Sequence, residues 1–375
     1  MNTKIFKPAK NKLAQAVALG ILAFAANQSQ ATDYTFSDLG TVSGPYAGMT
    51  VSGINNPGQV IGGDGVTPYV WTGDVASPLD TQPDMDLTSG AAINDLGQTA
   101  GSNYSIAQDR GYPIRWNGSS ATVVDTLGGG FISAALAINN SGQMVGASWF
   151  GSSFHPVRWD GNTITELDTL GGSAGVGGGI NDAGIVVGQS RITNDDANHA
   201  TLWIGAAATD LGTLGGTGST ANDINNKGQI VGWGNDINDI SDHAILWNGL
   251  NATPQDLGTL GGDYSAAQAI NDFSQIVGSS TLVDGSTHAV LWDTTSNLID
   301  LNAYLPAELS TAGWVMTYGF GINNSGVIVG YLSNTADTSL AAAFKLTPTT
   351  VPVPGAVWLF GSALAGFMGM KRRKQ

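Results

Sequence analysis

The four histidines are the side chains with the broadest chemical capacity in this sequence, which contains no cysteine. An imidazole can activate a serine or threonine as a general base, or it can bind zinc beside other nearby ligands. His155, His199, His243 and His288 follow one another at intervals of 44 to 45 residues. Even spacing indicates one histidine per copy of a repeat, which separates the four in space. We therefore expect each imidazole to bond the backbone of a neighbouring repeat, and a zinc site would require the four to converge.

The aspartates offer a second kind of chemistry, because carboxylate oxygens bind hard cations. Asp236, Asn238, Asp239 and Asp242 place oxygen atoms at short spacing in one segment, which makes them the candidate calcium ligands. The segment lacks the central glycine and the distal glutamate of an EF-hand loop. Aspartate is also a common turn former, so the alternative is an architectural role. No other cofactor is predicted, since no carboxylate pair suggests glycoside hydrolysis and no glycine-rich segment has the context of a phosphate loop.

Three aromatic residues form a candidate binding site. Trp149, Phe150 and Phe154 lie in a segment that we predict to be a loop, where the matching segments of the other repeats are mostly polar. Exposed aromatic side chains on a rigid scaffold can stack on sugar rings or pack against a protein partner. The alternative is that they fold back and cover the adjacent sheet.

The segment Ile138–Gly146 is the unit around which these residues are organised. Close copies of it begin at Ile54, Ile93, Ile138, Ile180, Ile224, Ile270 and Ile322, with 39 to 52 residues between successive starts. That spacing is typical of a propeller blade. Each copy places Asn-Asn or Asn-Asp before a turn between two apolar runs, and in six of the seven the turn contains glycine. Such segments predict a strand, a tight turn and a second strand.

Two further landmarks complete each repeat. An aromatic residue follows each starting isoleucine by 17 to 23 residues, at Trp71, Trp116, Trp159, Trp203, Trp247, Trp292 and Phe344. An Asp-Leu-Gly or Thr-Leu-Gly-Gly segment precedes most of the starting isoleucines. Each repeat therefore contains four short strands. The sequence predicts an all-β protein, a seven-bladed β-propeller that occupies residues 32–346.

The two ends of the repeat region indicate how the ring closes. Residues 34–40 match the fourth strand of a repeat although no repeat precedes them, and the last repeat has no such strand after Phe344. A ring closed by the N-terminal strand explains both features and leaves no free sheet edge.

The third strands of the central repeats carry a recognisable pattern. His199–Trp203, His243–Trp247 and His288–Trp292 each read His-Ala-x-Leu-Trp, and Leu-Gly-Gly and Ile-Asn-x-x-Gly-Gln-Ile-Val-Gly segments surround them. With these segments the chain resembles the bacterial extracellular HAF repeat family over about residues 36–346, most closely across 168–292. The first, second and seventh repeats lack the histidine. The resemblance implies an exported repeat domain and brings no catalytic residues with it.

The N-terminal segment predicts export. Residues 1–31 contain Lys4, Lys7, Lys10 and Lys12, then an apolar run from Leu13 to Ala26, then small residues that end at Ala31. This order is that of a secretory signal peptide, which the Sec export machinery recognises and which is removed. We expect cleavage after Ala31.

The C-terminal segment predicts sorting. Residues 347–354 form a Pro/Thr linker, and residues 355–375 combine a hydrophobic helix with a basic end. The signal residues are Val351, Pro352, Val353, Pro354, Lys371, Arg372, Arg373 and Lys374. This tail resembles the PEP-CTERM sorting signal, with Val353 where the usual form has glutamate. The resemblance implies transient anchoring in the inner membrane, processing by an exosortase-type enzyme, and an exopolysaccharide-producing Gram-negative envelope. A permanent membrane anchor is the alternative.

The charge balance excludes one class of partner. Outside the two terminal segments, 6 basic residues face 29 acidic ones. Such a field opposes the binding of nucleic acid and of anionic membranes. We predict an exported, non-enzymatic protein of the cell surface or extracellular matrix that binds a polysaccharide or a protein. The alternative is an exported hydrolase or lyase that acts on extracellular glycans.

Overall fold

The computed structural model describes residues 33–40, 50–293 and 297–349. The predicted signal peptide and the predicted hydrophobic tail lie outside these ranges, as do residues 350–354 of the predicted linker. The chain divides into two compact units, of which Tyr34–Pro348 contains all of the repeats. The other unit comprises Met1–Asp33 and Thr349–Gln375, where Asp33 and Thr349 are the described residues. No helix in the described ranges is long and apolar enough to span a membrane.

Strands make up most of the described chain. They are β1 (Tyr34–Asp38), β2 (Thr50–Ile54), β3 (Val60–Gly63), β4 (Pro68–Thr72), β5 (Val75–Pro78), β6 (Leu87–Ile93), β7 (Gln98–Ser105), β8 (Arg110–Asn117), β9 (Ser120–Val123), β10 (Ser133–Ile138), β11 (Met144–Phe150), β12 (Ser153–Asp160), β13 (Thr163–Glu166), β14 (Gly171–Ile180), β15 (Val186–Ile192), β16 (Asn198–Ile204), β17 (Ala207–Asp210), β18 (Ser219–Ile224), β19 (Ile230–Asn235), β20 (Asp242–Trp247), β21 (Pro254–Asp256), β22 (Gly261–Ile270), β23 (Ile276–Leu282), β24 (Thr287–Trp292), β25 (Leu298–Asp300), β26 (Trp314–Ile322), β27 (Ile328–Asn334) and β28 (Ala341–Pro348). One short α-helix, α1 (Ala307–Thr311), lies between β25 and β26, and 3-10 helices occupy Leu127–Gly129, Thr193–Asp195 and Leu301–Tyr304.

The strands form antiparallel sheets, as the repeats predict. Five sheets have four strands, and one has eight because a single parallel pair, Asp242 with Tyr264, joins the groups β18–β21 and β22–β25. Within each repeat the strands pair in chain order, so the first strand of a repeat lies at one edge and the fourth at the other. No sheet among the described strands closes on itself. The all-β prediction with four strands per repeat is confirmed.

The first strand of the chain pairs with the last. Tyr34 lies opposite Pro348 and Asp38 lies opposite Phe344, so β1 is the outer strand of the sheet β1-β28-β27-β26. The pairing predicted for residues 34–40 is confirmed. It covers the edge of β28, which would otherwise present unpaired backbone groups.

The turn between the first two strands follows from its sequence. In the third repeat, the Asn139 backbone N–H donates to the carbonyl of Gln143, and the Asn139 Oδ1 accepts from the backbone N–H groups of Ser141 and Gln143. Gly142 has a φ of 75°. Asparagine therefore caps its own turn and glycine takes the left-handed residue, which is the reason for this spacing in the repeat.

A bulge interrupts the first strand of every repeat, and it explains the last glycine of the repeated segment. In β10 the pairing register shifts between Ala135 and Ala137, which leaves Leu136 unpaired. A Cβ on Gly146, in the facing strand, would lie 2.0 Å from the carbonyl oxygen of Ala134. The corresponding distances at Gly62, Gly101, Gly146, Gly188, Gly232, Gly278 and Gly330 are 1.9 to 2.1 Å. No side chain fits at these positions.

Buried tryptophans connect each sheet to the preceding repeat. The pairs, with indole Nε1 as donor and a backbone carbonyl as acceptor, are Trp71 to Leu39, Trp116 to Asp80, Trp159 to Asp125, Trp203 to Asp168, Trp247 to Leu211 and Trp292 to Leu257. The hydrophobic clusters also join successive sheets, since Leu202 of β16 packs in one cluster with Trp247 of β20. The core thus lies between the sheets, as it must when each face is covered by a neighbour.

Candidate functional site

The histidines bond carboxylates of their own sheets. Each lies on the third strand and uses Nδ1 to reach the fourth strand, at 2.6 to 2.8 Å, in the pairs His155–Glu166, His199–Asp210, His243–Asp256 and His288–Asp300. The prediction of a bond to the backbone of a neighbouring repeat was wrong. The partner is a side chain because third and fourth strands place the two residues diagonally across one face. Within the described residues, no group of three or more His, Cys, Asp or Glu side chains is arranged to hold a metal ion.

One histidine also contacts a hydroxyl. The Ser153 Oγ lies 3.3 Å from His155 Nε2, and His155 Nδ1 lies 2.6 Å from Glu166 Oε1. The order hydroxyl, imidazole, carboxylate is the arrangement that activates a serine nucleophile. The Ser153 hydroxyl also reaches the backbone carbonyl of Ser173 at 2.7 Å. In the sixth repeat Ser286 has the same spacing from His288, but its hydroxyl donates to Asp284.

The candidate calcium ligands lie at the loop between β19 and β20, with Asp242 as the first residue of β20, and their carboxylates accept hydrogen bonds around the loop. Asp236 Oδ1 accepts from two backbone N–H groups of the loop, and these bonds hold the pKa of Asp236 below its usual value. Asp239 Oδ1 accepts from the backbone of Thr217 at 2.6 Å. Asp242 Oδ1 accepts from the Asn235 amide at 2.5 Å. Asn238 belongs to the same loop, and calcium binding by these residues stays a prediction.

The three predicted aromatic residues are brought together, although in strands. Trp149 and Phe150 end β11, Phe154 lies in β12, and only Gly151 and Ser152 separate the strands. The loop prediction was wrong here because a glycine with a φ of 65° closes the hairpin in two residues. Trp149 packs edge-on against Phe154, with ring centroids 4.9 Å apart. These two rings are half-buried, whereas Phe150 is 46% exposed.

Phe150 also covers neighbouring backbone. A Cβ on Gly128 would lie 2.3 Å from the Phe150 ring, so the ring rests directly on that glycine. The Phe150 ring also lies near the His155 imidazole, with the two ring centroids 5.9 Å apart. Phe150 therefore combines a packed face with an exposed one.

Two residues that the sequence reasoning missed extend this surface. Phe131 is 57% exposed and Ile132 is 37% exposed. Their backbone carbonyls accept from Gly111 and Trp149 at 2.8 Å each, which fixes the segment between the second and third sheets. The Arg110 guanidinium lies 5.3 Å from the centroid of the Phe131 ring. We call the surface formed by Arg110, Phe131, Ile132, Trp149, Phe150 and Phe154 the rim patch.

A comparison between repeats could have found the missed pair. Leu127-Gly128-Gly129 is followed by Gly-Phe-Ile, whereas Leu-Gly-Gly in the later repeats is followed by Ser-Ala-Gly, Thr-Gly-Ser and Asp-Tyr-Ser. Other exposed apolar side chains also lie in loops between second and third strands: Ile106, Ile237, Ile240, Val283 and Leu340. Several exposed apolar side chains thus lie at this end of the sheets, and the rim patch contains the aromatic ones.

At the other end of the first strands, the asparagines of the repeats form a closed cycle of hydrogen bonds. Each buried Asn donates from Nδ2 to the backbone carbonyl of the corresponding Asn in the next repeat, at 2.9 to 3.2 Å, in the order Asn55, Asn94, Asn139, Asn181, Asn225, Asn271, Asn323 and back to Asn55. The seven repeats therefore meet around one axis at this level.

The next residue of each repeat forms a second cycle in which Asn and Asp alternate, except where Asn324 meets Asn56. Each backbone N–H donates to the side-chain Oδ1 of the following member at 2.8 to 2.9 Å, in the order Asn56, Asp95, Asn140, Asp182, Asn226, Asp272, Asn324 and back to Asn56. No two carboxylates are neighbours in this order. The asparagine amides lie between them as donors, so the alternation avoids repulsion between like charges.

A central channel runs from these cycles along the first strands. The cavity between the asparagines has a volume of about 200 Å³, and two cavities deeper in the channel have volumes of about 210 and 310 Å³. The unpaired bulge residues line the deeper cavities: Ser52, Ala91, Leu136, Gly178, Asn222, Gln268 and Phe320. The sequence reasoning did not single out these residues.

One carboxylate reaches into the channel below the cycles. Asp223 stands where the other repeats have glycine or alanine. Its Oδ1 accepts from the backbone of Ile224 at 2.8 Å and its Oδ2 accepts from the backbone of Ile270 at 2.9 Å. Burial raises the pKa of Asp223 to about 6, even though both hydrogen bonds act in the opposite direction.

The predicted sorting residues Val351, Pro352, Val353, Pro354, Lys371, Arg372, Arg373 and Lys374 lie outside the described residues. Their role in sorting stays a prediction. The same holds for cleavage after Ala31.

Comparison with known proteins gives the fold. No protein-family model and no curated protein matches the chain. Among solved structures, YCF48 bound to D1 peptide aligns with a TM-score of 0.53 and 10% identity over 86% of this chain and 97% of that one. TolB from Agrobacterium tumefaciens has a TM-score of 0.45 and 11% identity, covering 56% of this chain and 80% of its own. The likeness to YCF48 indicates a propeller-like all-β fold, and identity this low indicates the fold alone.

Proposed function

We propose that this chain is an exported, non-enzymatic binding protein that takes a protein partner on the rim patch. The observations that carry the proposal are the exposure of Phe131, at 57%, with Arg110 over its ring, and of Phe150, at 46%. Phe150 follows Trp149, whose backbone N–H donates to the carbonyl of Ile132. Soluble proteins rarely expose several large apolar side chains on one surface unless that surface meets a partner. Aromatic residues and arginine are also the residue types that dominate binding energy at protein interfaces.

We further propose that the sheets are the blades of a closed seven-bladed propeller. Three observations support this: the cycle of hydrogen bonds through the seven asparagines, the pairing of β1 with β28, and the tryptophan bonds between successive repeats. A closed ring is a rigid scaffold, and a rigid scaffold lowers the entropy cost of presenting a binding surface.

Charge defines the partner more closely. Outside the termini the chain has 29 acidic residues and 6 basic ones, so its field attracts a positively charged partner. An apolar segment flanked by basic residues would match both the rim patch and this field. YCF48 was solved with a bound peptide, which makes a peptide a reasonable ligand for a fold of this kind.

The cellular location of the protein is part of the same proposal. The segment at 1–31 directs export through the Sec machinery, and the tail with Val351–Pro354 and Lys371–Lys374 is recognised by an exosortase-type enzyme. The HAF-like repeats then act at the outer surface or in an exopolysaccharide matrix. Fractionation of the native host tests this: loss of the residues beyond about 354 from surface protein is expected, and the intact C-terminus in the inner membrane would indicate a permanent anchor instead.

Binding to isolated host matrix tests the role of the rim patch. The full chain should be retained on the matrix, and Phe131→Ser or Phe150→Ser should abolish most of that retention. Phe273→Ser is the matched control, because Phe273 is 59% exposed but lies on the turn between the first two strands of its repeat. Protease treatment of the matrix should remove binding. Binding that survives protease and is lost after glycosidase treatment would replace the protein partner with a polysaccharide.

A second candidate function rests on Ser153. In this alternative the protein is an exported hydrolase of esters on extracellular glycans. The Ser153 Oγ attacks the ester carbonyl while His155 Nε2 takes its proton, and Glu166 holds the imidazole in position at 2.6 Å. The proton passes to the leaving alkoxide, and water then releases the acyl group from the serine.

Labelling with a fluorophosphonate decides between the two functions. An enzyme should be labelled and should hydrolyse p-nitrophenyl acetate, and Ser153→Ala should remove both signals. Ser286→Ala is the matched control, since Ser286 has the same spacing from a histidine but donates to Asp284. Absence of labelling in the full chain would retire the hydrolase.

A further inference from the structure

The bulge residues of the first strands are a second, separate candidate for binding. A bulge leaves one residue unpaired and changes the direction of its side chain, which is the reason bulges are frequent beside functional sites. Here the bulge residue differs in every repeat, and serine, alanine, leucine, glycine, asparagine, glutamine and phenylalanine occur once each. The residues on either side of it are mostly glycine and alanine.

The varied residues give the channel a mixed lining of polar and apolar side chains. Asn222 and Gln268 come from adjacent repeats and line the cavity of about 310 Å³ together with Thr220. Leu136 and Phe320 line the same cavity from other repeats. The Phe320 ring stacks on Tyr318, with centroids 5.8 Å apart and an angle of 12° between the planes. The lining therefore combines amide side chains from two adjacent repeats with apolar and aromatic side chains from two others.

The polar residues of the lining have unused hydrogen-bonding capacity. Among the described residues, the amide of Gln268 and the hydroxyl of Ser52 have no hydrogen-bond partner. Asn222 donates to the backbone carbonyl of Ala267 at 2.8 Å, which leaves its side-chain carbonyl available. Gln189 accepts from Thr220 at 2.9 Å, which leaves its amide N–H groups available. The channel thus offers both donors and acceptors to a ligand.

The charged groups near the channel limit the class of ligand further. No lysine, arginine or histidine lines the two deeper cavities. The carboxylate of Asp223 is occupied on both oxygens by backbone N–H groups, and Asp95, Asp182 and Asp272 lie at the asparagine end of the channel. An anionic ligand would meet only negative charge, and a cation would find no carboxylate oxygen without a partner below the cycles. The lining suits a neutral, polar ligand.

We propose that the central channel binds a neutral saccharide unit. Sugar hydroxyls are both donors and acceptors, as the amides of Asn222, Gln268 and Gln189 require, and the C–H face of a pyranose ring packs against an aromatic ring such as Phe320. A volume of about 310 Å³ is at the lower end for ligand pockets, which fits one sugar ring or two. This site is distinct from the rim patch, so each can be tested without the other.

Calorimetric titration of the full chain with neutral sugars tests this site. The probes are glucose, galactose, mannose and N-acetylglucosamine, with galacturonic acid and glucosamine as charged counterparts. At least one neutral sugar should bind, with both charged forms weaker. Gln268→Ala should weaken that binding about tenfold by loss of a hydrogen-bonding amide, and Gln255→Ala, on the exposed outer strand β21, should leave it unchanged.

A second variant tests whether the sugar binds inside the channel. Leu136→Trp adds bulk at a bulge position that lines both deeper cavities and removes no polar group, so it should abolish binding while the thermal melt shows a folded protein. Phe150→Ser should not affect sugar binding. The proposal is overturned if no neutral sugar binds, if a charged form binds more tightly, or if sugar binding survives Leu136→Trp in the folded variant.

Discussion

Asn323 donates a hydrogen bond from Nδ2 to the backbone carbonyl of Asn55 at 3.1 Å, although 268 positions separate them in the chain. The same bond links all the remaining pairs of successive repeats. The last repeat therefore contacts the first as any repeat contacts the next one in the chain. Asn323 also accepts from the backbone N–H groups of Ser325 and Val327. One buried side chain thus stabilises its own turn and the junction between the two ends of the repeat region.

Asn323→Ala should lower the free energy of unfolding by about 3 kcal/mol, because it leaves buried backbone groups without partners. Ser325→Ala, an exposed residue of the same turn, should change it by less than about 0.5 kcal/mol. Urea unfolding followed by tryptophan fluorescence measures both. Equal effects of the two substitutions would show that neither the junction bond nor the turn bonds of Asn323 contribute to stability.

Gly146→Ala tests whether contact or backbone conformation selects the repeated glycine. A Cβ at Gly146 would lie 2.0 Å from the Ala134 carbonyl oxygen, so the two strands must separate. We expect a loss of about 3 kcal/mol or more, as for other overpacked sites. Gly118 is the control, since it has a φ of 64° and open space around it. Gly118→Ala should cost about 1 kcal/mol from left-handed strain alone. A smaller loss at Gly146 would exclude the contact as the cause.

The repeats made the strands predictable, since the Asn-x-x-Gly turns and the spaced tryptophans report local geometry. The bulges were not predictable in this way. Leu136 and Gln268 lie in apolar or mixed runs that could belong to any regular strand, and only the pairing register shows that they are unpaired. The partners of the histidines were also missed, because a diagonal contact between two strands depends on register and leaves no local signal in the sequence.

The alternation of Asn and Asp gives a prediction about charge. Asn140 donates from Nδ2 to Asp95 and Asp182, at 3.2 and 3.1 Å. Asn140→Asp removes these donors and places three carboxylates in a row, so we expect a loss of about 2 kcal/mol at neutral pH. Asn56→Asp gains only one carboxylate neighbour and should lose less.

The loss in Asn140→Asp should also depend on pH. Neighbouring carboxylates raise the pKa of the new carboxyl in the folded state, so the penalty is absent when it is protonated and appears as the pH rises. Unfolding by urea at several pH values measures this. A loss that is the same in acid and at neutral pH would contradict repulsion as its cause.

Asp223 predicts a second pH dependence, within the channel. Burial raises its pKa to about 6 in the folded protein, so the folded state holds a proton that the unfolded state, with a pKa of 3.8, has already released. Stability should therefore fall as the pH rises between these two values. Asp223→Ala, which introduces the residue type found in three other repeats, removes this pH dependence of stability. Relative to the variant, the wild type should lose about 2 kcal/mol between acid and neutral pH, less than the full shift implies because the channel admits water. A pH-independent difference would contradict the assignment.

The rim patch should separate into packed and exposed members. Trp149 is half-buried and packs edge-on against Phe154 at 4.9 Å, whereas Phe131 is 57% exposed. Trp149→Ser should lower the melting temperature by several degrees, since it removes a large packed ring. Phe131→Ser should leave it nearly unchanged and still reduce retention on host matrix.

Phe150 decides between the two roles that its sequence allowed. Its ring rests on Gly128 and is 46% exposed, so Phe150→Ser should lower the melting temperature less than Trp149→Ser and more than Phe131→Ser. Phe150→Leu keeps an apolar cover over Gly128 and removes the aromatic face. If Phe150 serves binding, the leucine variant should melt like the wild type and bind host matrix weakly. Full binding by this variant, or a melt lowered as far as that of Trp149→Ser, would assign Phe150 to packing alone.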